Sequence, residues 1–258
     1  MTFLKENIYF HIKPEQLLSN LDRLLDFDFN YEILARSDFL DSYTTEDIDK
    51  LNKAFSAKAL HKRIHAPFVD LNPGSTDKVI RKVSSERFLS ALELCKKLKS
   101  SGLVLHTHYE PIFYHKHFNE WIDNAKDTWS AIETRANAYG VTVCIENSLD
   151  NDPKAVLEML KQHPSFKACF DIAHYNVFSE KGWQHALSLY PVGSIKEIHL
   201  SDNNGDEDAH LVLGEGSIDI ISFLKEIESR NENPAITIEP HSEKDLIKNI
   251  NFIKKYII

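Results

Sequence analysis

Short runs rich in β-branched and aromatic residues recur along this chain. Each is followed by a longer stretch in which apolar residues return every three or four positions. The short runs are IYFHI (8–12), YEILA (31–35), RIHAP (63–67), LVLHT (103–107), VTVCIE (141–146), KACFD (167–171), IKEIHL (195–200) and AITIEP (235–240). Helical periodicity fills 14–27, 44–55, 86–99, 121–139, 153–162, 219–229 and 243–256, with a shorter stretch around 182–190. Thr44-Thr45-Glu46-Asp47 supplies a capping signal and first-turn acid for one of these helices. The strand runs lack strict alternation, which suits strands buried on both faces of a parallel sheet. Eight β-then-α units within 258 residues predict an α/β fold. Its expected form is one closed eight-stranded (β/α) barrel domain over 1–258, not an open doubly wound sheet. No G-x-G-x-x-G follows a strand, so a dinucleotide-binding fold loses its main support.

Composition bounds this picture without changing it. Hydrophobic residues make up 42% and charged ones 27%, and no apolar run approaches the ~20 residues that a membrane span needs. Residues 1–13 lack the apolar core of a signal peptide, and Cys95, Cys144 and Cys169 lie in apolar runs without CxxC spacing. Both features predict reduced core thiols in a cytoplasmic protein. A net charge of −9 does not favour a broadly basic nucleic-acid surface, although carboxylates gathered around metal ions would account for part of it. The 13 histidines are the unusual number, and their placement carries the chemistry.

The predicted strands end on ligand-type residues: His65, His106, Glu146, Asp171, His199 and Glu239 stand at the ends of the third to eighth. In a barrel these ends form the rim where active sites lie. His174 follows Asp171 by three residues, and Asp208 and His210 lie in the loop after the seventh strand. Any one of these has an ordinary reading as a solvated or satisfied side chain. The convergence of all nine does not, because buried charges without partners are costly. Divalent cations offset that cost. A mixed imidazole and carboxylate set without thiolate points to zinc first, with manganese or iron as alternatives.

At these residues the chain resembles the xylose isomerase-like TIM barrels, which include endonuclease IV and the sugar-phosphate isomerase/epimerase relatives. The matching segments are HAPF (65–68), VLH (104–106), IEN (145–147), FDIAH (170–174), HLSD (199–202), DAHLVLGEG (208–216) and IEP (238–240). Carried over residue by residue, the endonuclease IV pattern implies up to three metals. The first would sit on His65, His106 and a bridging Glu146, and the second on Glu146, Asp171, His199 and Glu239. The third would sit on His174, Asp208 and His210. The chain departs from that pattern in the short loop from His199 to Asp208 and in the absence of arginine-rich loops. Its first two strands, with FNYEILA (29–35), look more like the sugar-isomerase branch.

Two mechanisms follow. In phosphoester hydrolysis the cluster would activate water, with Glu146 positioning it and Glu239 orienting it. In epimerisation or isomerisation one metal would suffice, and Glu146 and Glu239 would exchange a proton on opposite faces of a sugar. The related epimerases carry an Arg shortly after the seventh-strand His. LSDNNGDEDA (200–209) has none, which tilts the reading towards hydrolysis. A metal-containing binding protein or lyase is the third alternative. A small sugar or phosphorylated substrate is expected; abasic DNA stays open, and oligomeric state is not read from the sequence.

Substrate-facing candidates lie beside these ligands. HYEPIFYHKHFNEW (108–121) places Tyr109, Tyr114 and His115 over the mouth, either as a lid or as a loop packed by its own aromatics. His108 is both a substrate-binding candidate and a rival to His106 as ligand, and Asn147 adjoins Glu146. In DLNPGSTD (70–77), Asn72, Gly74 and Ser75 form either a phosphate-binding turn or a plain one.

Overall fold

A computed structural model of the chain describes residues 3–258. Its strands are β1 (Ile8–Ile12), β2 (Asn30–Leu34), β3 (Lys62–His65), β4 (Gly102–His106), β5 (Thr142–Glu146), β6 (Lys167–Asp171), β7 (Ile195–Leu200) and β8 (Ala235–Ile238). Every strand pairs in parallel with the next and β8 returns to β1, so the sheet closes into the expected (β/α) barrel. The outward faces, with Phe10, Ile33, Leu105, Ile145, Phe170 and Ile198 fully buried, pack beneath helices that contribute Phe88, Trp129, Phe223 and Ile253. Each such side chain adds roughly 1.5–3 kcal/mol of burial free energy.

The interior is organised differently. Side chains alternate along a strand, so a barrel fills in rings drawn from alternate strands. Tyr9, Arg63, Cys144 and Glu197 come from β1, β3, β5 and β7. They meet through Arg63 Nε, which donates to Glu197 Oε1 at 2.8 Å, and Arg63 Nη2, 3.6 Å from Cys144 Sγ. Above them the even strands add Glu32, Val104, Cys169 and Thr237, and Thr237 Oγ1 donates to Glu197 Oε1 at 3.1 Å. Continuing by the same alternation, His11, His65, Glu146 and His199 form the next ring, and His106, Asp171 and Glu239 reach the rim. A Cβ at Gly102 would lie 2.2 Å from Arg63 Cζ, so the start of β4 has to be glycine for the guanidinium to lie across it.

Two helix expectations and one loop expectation change. The stretch 14–27 forms two helices, Pro14–Ser19 and Leu21–Leu25, because Asn20 leaves helical geometry at φ −127° and ψ 28°. The helix expected over 86–99 begins earlier, as Lys78–Leu98, because Asp77 caps it by accepting from the Val79 N–H at 2.7 Å. Much of 108–121 is helical, in the turns Pro111–Tyr114 and His115–His117 and the start of Phe118–Tyr139. Sequence periodicity also passes over Ser37–Ser42 and Ile172–Phe178, each too short to show a repeat. Thr44 and Asp47 form the expected capping box.

All three cysteines are buried and free. No helix among the described residues is long and apolar enough to cross a membrane.

Candidate metal centre and active site

The strand ends and the segments that follow β6 and β7 bring all nine expected ligand residues to one mouth. Glu146, at the end of β5 and 1% exposed, is the hub. Its Oε2 lies 3.1 Å from His65 Nε2 and 3.3 Å from His106 Nε2. Its Oε1 lies 3.2 Å from His199 Nδ1 and 3.5 Å from His174 Nδ1. Glu239 Oε1 approaches the same His199 Nδ1 at 3.4 Å, so one ring nitrogen faces two carboxylates that come from β5 and β8. On the solvent side, Asp208 Oδ2 lies 3.3 Å from His174 Nε2 and 3.0 Å from His210 Nε2.

A divalent cation fits this donor set. His65–His106–Glu146, Glu146–Asp171–His174 and His174–Asp208–His210 each present nitrogen and oxygen atoms within 4.8 Å of one another. Asp171 Oδ2, His199 Nδ1, Asp208 Oδ1 and Glu239 Oε2 are buried without a hydrogen-bond partner. Buried polar atoms are normally satisfied. Convergent orphans of both types, nitrogen and oxygen, are what a cation-binding site presents.

The electrostatics agree. Burial acts to raise the Glu146 carboxyl, but the His199 and His106 imidazoles outweigh it and hold the group well below the usual range. Burial lowers His210, yet Glu239 and Asp208 bring it up to about 9. His174 is likewise carried above its ordinary value, against burial, by Asp171, Asp208 and Glu146. Without a cation, the carboxylates draw protons onto the imidazoles instead.

Two residues that the sequence reading passed over belong to the cluster. His11 Nδ1 lies 3.5 Å from Glu239 Oε1, and burial lowers this imidazole to about 4. Glu32, fully buried in the middle of β2, places Oε1 3.3 Å from His199 Nε2. The one signal in the sequence was a polar residue inside an otherwise apolar run, without the parity that the closed barrel supplies.

An open cavity of about 540 Å³ lies over the centre, and His106, His174 and Asp208 reach into it. Phe68, stacked on His106 with centroids 4.8 Å apart, lines it together with Tyr109, Tyr114 and Phe178. No lysine or arginine is among its lining residues. His108 also lines the cavity but stands apart from the ligand cluster. It is buried 5.0 Å from the Phe88 ring with Nε2 unpartnered, and burial holds the imidazole well below its usual value. His106 is therefore the β4 residue directed at Glu146.

Asn147 needs correction as a substrate contact. Its side chain is fully buried, donating to the Asp171 carbonyl and accepting from the Asp171 N–H, both at 2.9 Å. It holds the end of β6 in place. Asn72 Oδ1 accepts from Trp121 Nε1 and from the Gly74 N–H, each at 3.0 Å, and Asp77 N–H donates to Ser75 Oγ. The Gly74, Ser75 and Asp77 amide hydrogens are thus used within the loop and that of Asn72 by Ser84 Oγ at 2.8 Å, while Asn72 and Ser75 line the cavity. A Cβ on Gly74 would lie 2.3 Å from Trp121 Nε1.

Beside the centre, Asp150 accepts from Thr107 Oγ1 at 2.8 Å and the Ser148 N–H at 3.1 Å, while burial raises its carboxyl from 3.8 to about 7. Between those values the folded state holds more proton than the unfolded state, so stability is lost as pH rises through the window. Asp150→Asn is expected to melt higher than wild type near pH 8, with the gap closing near pH 4, as read by calorimetry.

Known proteins show the same architecture. Over 255 residues the chain is 29% identical to the uncharacterized protein MJ1311 of Methanocaldococcus jannaschii, spanning 95% of this chain and 86% of that one. It resembles the crystal structure of a D-tagatose 3-epimerase-like protein at TM-score 0.81 and 27% identity, over 96% of each chain. Its fold also matches the TTHB071 protein of Thermus thermophilus, soaked with ZnCl2, at TM-score 0.81 and 21% identity over 97% of each chain. A D-psicose 3-epimerase from Clostridium cellulolyticum, solved with D-tagatose, superposes at TM-score 0.77 with 18% identity over 97% and 99% of the two chains. The sequence matches the xylose isomerase-like TIM barrel family across residues 24–256, and the chain belongs to that family.

Proposed function

We propose that this protein is a metal-dependent sugar epimerase or isomerase that moves a proton on a carbon next to a carbonyl. The observation that carries the reading is the pair Glu146 and Glu239, whose oxygens lie 3.2 and 3.4 Å from one nitrogen of His199 and come from separate strands. In this reading Glu146, Asp171, His199 and Glu239 hold one divalent cation, zinc or manganese. The bound cation supplies Lewis-acid polarisation of the substrate carbonyl. One glutamate removes the proton from the carbon and the other returns a proton on the opposite face, so the substrate gains and loses one proton and keeps its oxidation level.

The cavity supports a small neutral substrate. Aromatic faces at Phe68, Tyr109, Tyr114 and Phe178 suit a sugar's C–H surface, and the lining has no lysine or arginine to meet a phosphate. The likeness to sugar epimerases reverses the order in which the sequence placed the two chemistries. His108 lines the cavity, but its unpartnered Nε2 is buried.

One observation favours a second reading. His174, Asp208 and His210 form a further ligand group on the cavity side, which a single-metal epimerase leaves underused and a multinuclear phosphoester hydrolase employs. Elemental analysis of protein purified without chelator, paired with His210→Ala, separates the two. The proposal expects about one tightly held metal per chain and a His210→Ala kcat within roughly tenfold of wild type. About three metals, with His210→Ala removing one of them and all turnover, would establish the hydrolase.

A further inference from the structure

We infer that Glu32 is a positioning residue for His199. It holds the imidazole with Nε2–H directed into the barrel core and Nδ1 turned towards Glu146 and Glu239. The inference rests on the proposed metal reading and deepens it.

The two ring nitrogens face opposite ways. Nδ1 is 3.2 Å from Glu146 Oε1 and 3.4 Å from Glu239 Oε1, whereas Nε2 is 3.3 Å from Glu32 Oε1. Both side chains are fully buried, and beyond this contact neither Glu32 oxygen nor His199 Nε2 has a hydrogen-bond partner. A histidine that ligates a metal through one nitrogen commonly donates its other N–H to a carboxylate, which fixes the tautomer and raises ligand basicity. Glu32 stands in the ring directly below His199 and meets that description.

Glu32 is poorly placed to be a ligand itself. The group that would complete a site around it, Glu32–His65–His199, depends on His65, whose Nε2 is turned to the Glu146–His106 side, 3.1 Å from Glu146, and whose Nδ1 meets the Ala66 carbonyl at 2.8 Å. Below Glu32, Glu197 is held by Arg63 at 2.8 and 2.5 Å, so Arg63 does not turn towards Glu32. The carboxylate is left to act through His199.

The test uses the zinc-loaded full chain with 15N-labelled histidine, and zinc affinity measured by chelator competition. In wild type, the His199 signal should show a proton on Nε2 and zinc coordination at Nδ1. Glu32→Gln keeps the shape and removes the charge, and should weaken the tightest zinc site about 10- to 100-fold. The zinc count at saturation should stay the same. Coordination through Nε2 in wild type, or Glu32→Gln affinity within twofold of wild type, would overturn the inference while leaving the metal reading intact. Loss of one zinc equivalent at saturation would also overturn it, making Glu32 a ligand. No zinc uptake by wild type would overturn both. If Glu32→Gln fails to fold, the wild-type spectrum decides alone.

Discussion

Glu146→Gln is expected to lower kcat/KM by about 10⁴-fold and to reduce metal content, with the fold intact in circular dichroism. Glutamine keeps the volume and can still accept hydrogen bonds, so the change isolates the charge. That charge matters because four imidazoles, those of His65, His106, His174 and His199, stand 3.1–3.5 Å from the two Glu146 oxygens. In the proposed reaction Glu146 also carries the proton, a role that an amide cannot fill. Glu239→Gln removes the second proton carrier but leaves the hub, so it should cost as much in turnover and less in metal. Kinetics and elemental analysis on the same samples check both. Glu146→Gln activity within tenfold of wild type would remove Glu146 from the chemistry.

The second large effect is on stability. Arg63→Met is expected to destabilise the fold by about 4 kcal/mol, because it leaves Glu197 buried opposite an apolar side chain. For a chain of this size that lowers Tm by roughly 10 °C. Burial already raises Glu197 to about 7 despite Arg63, and losing Arg63 raises it further. A carboxyl raised in the folded state costs stability as pH rises above its unfolded value. The deficit should therefore shrink as pH falls towards the point where Glu197 is neutral. Arg63→Met with Glu197→Gln should recover much of the loss, since replacing both partners removes the uncompensated charge. Chemical denaturation of the three variants closes this cycle, and additive losses in the double variant would contradict it.

The fold was legible in the sequence because its signal is repeated. Eight apolar runs and the helices between them support one another even where a boundary moves, as at Lys78 or Asn20. The ligand residues were legible for a related reason: they fall at strand ends, such as His106 and Glu146, where the apolar run stops. Glu32 and His11 were not, because they lie inside their runs, and only the closed barrel shows which parity faces inward. Asn147 misled by proximity. It adjoins Glu146 in the chain, yet strand alternation turns its amide to the Asp171 backbone and away from the cavity. The choice of chemistry was the least legible part. It depends on the lining of a cavity built from loops far apart in sequence, including 68–80, 106–114 and 148–149.

Proton exchange on a sugar decides the proposed function. Metal-loaded protein would be incubated with a panel of free ketohexoses in D2O and followed by proton NMR. Deuterium should replace one carbon-bound hydrogen next to the carbonyl in at least one sugar, with loss of exchange in Glu146→Gln and Glu239→Gln. No exchange in any sugar, alongside cleavage of a phosphodiester by the same metal-loaded sample, would contradict it.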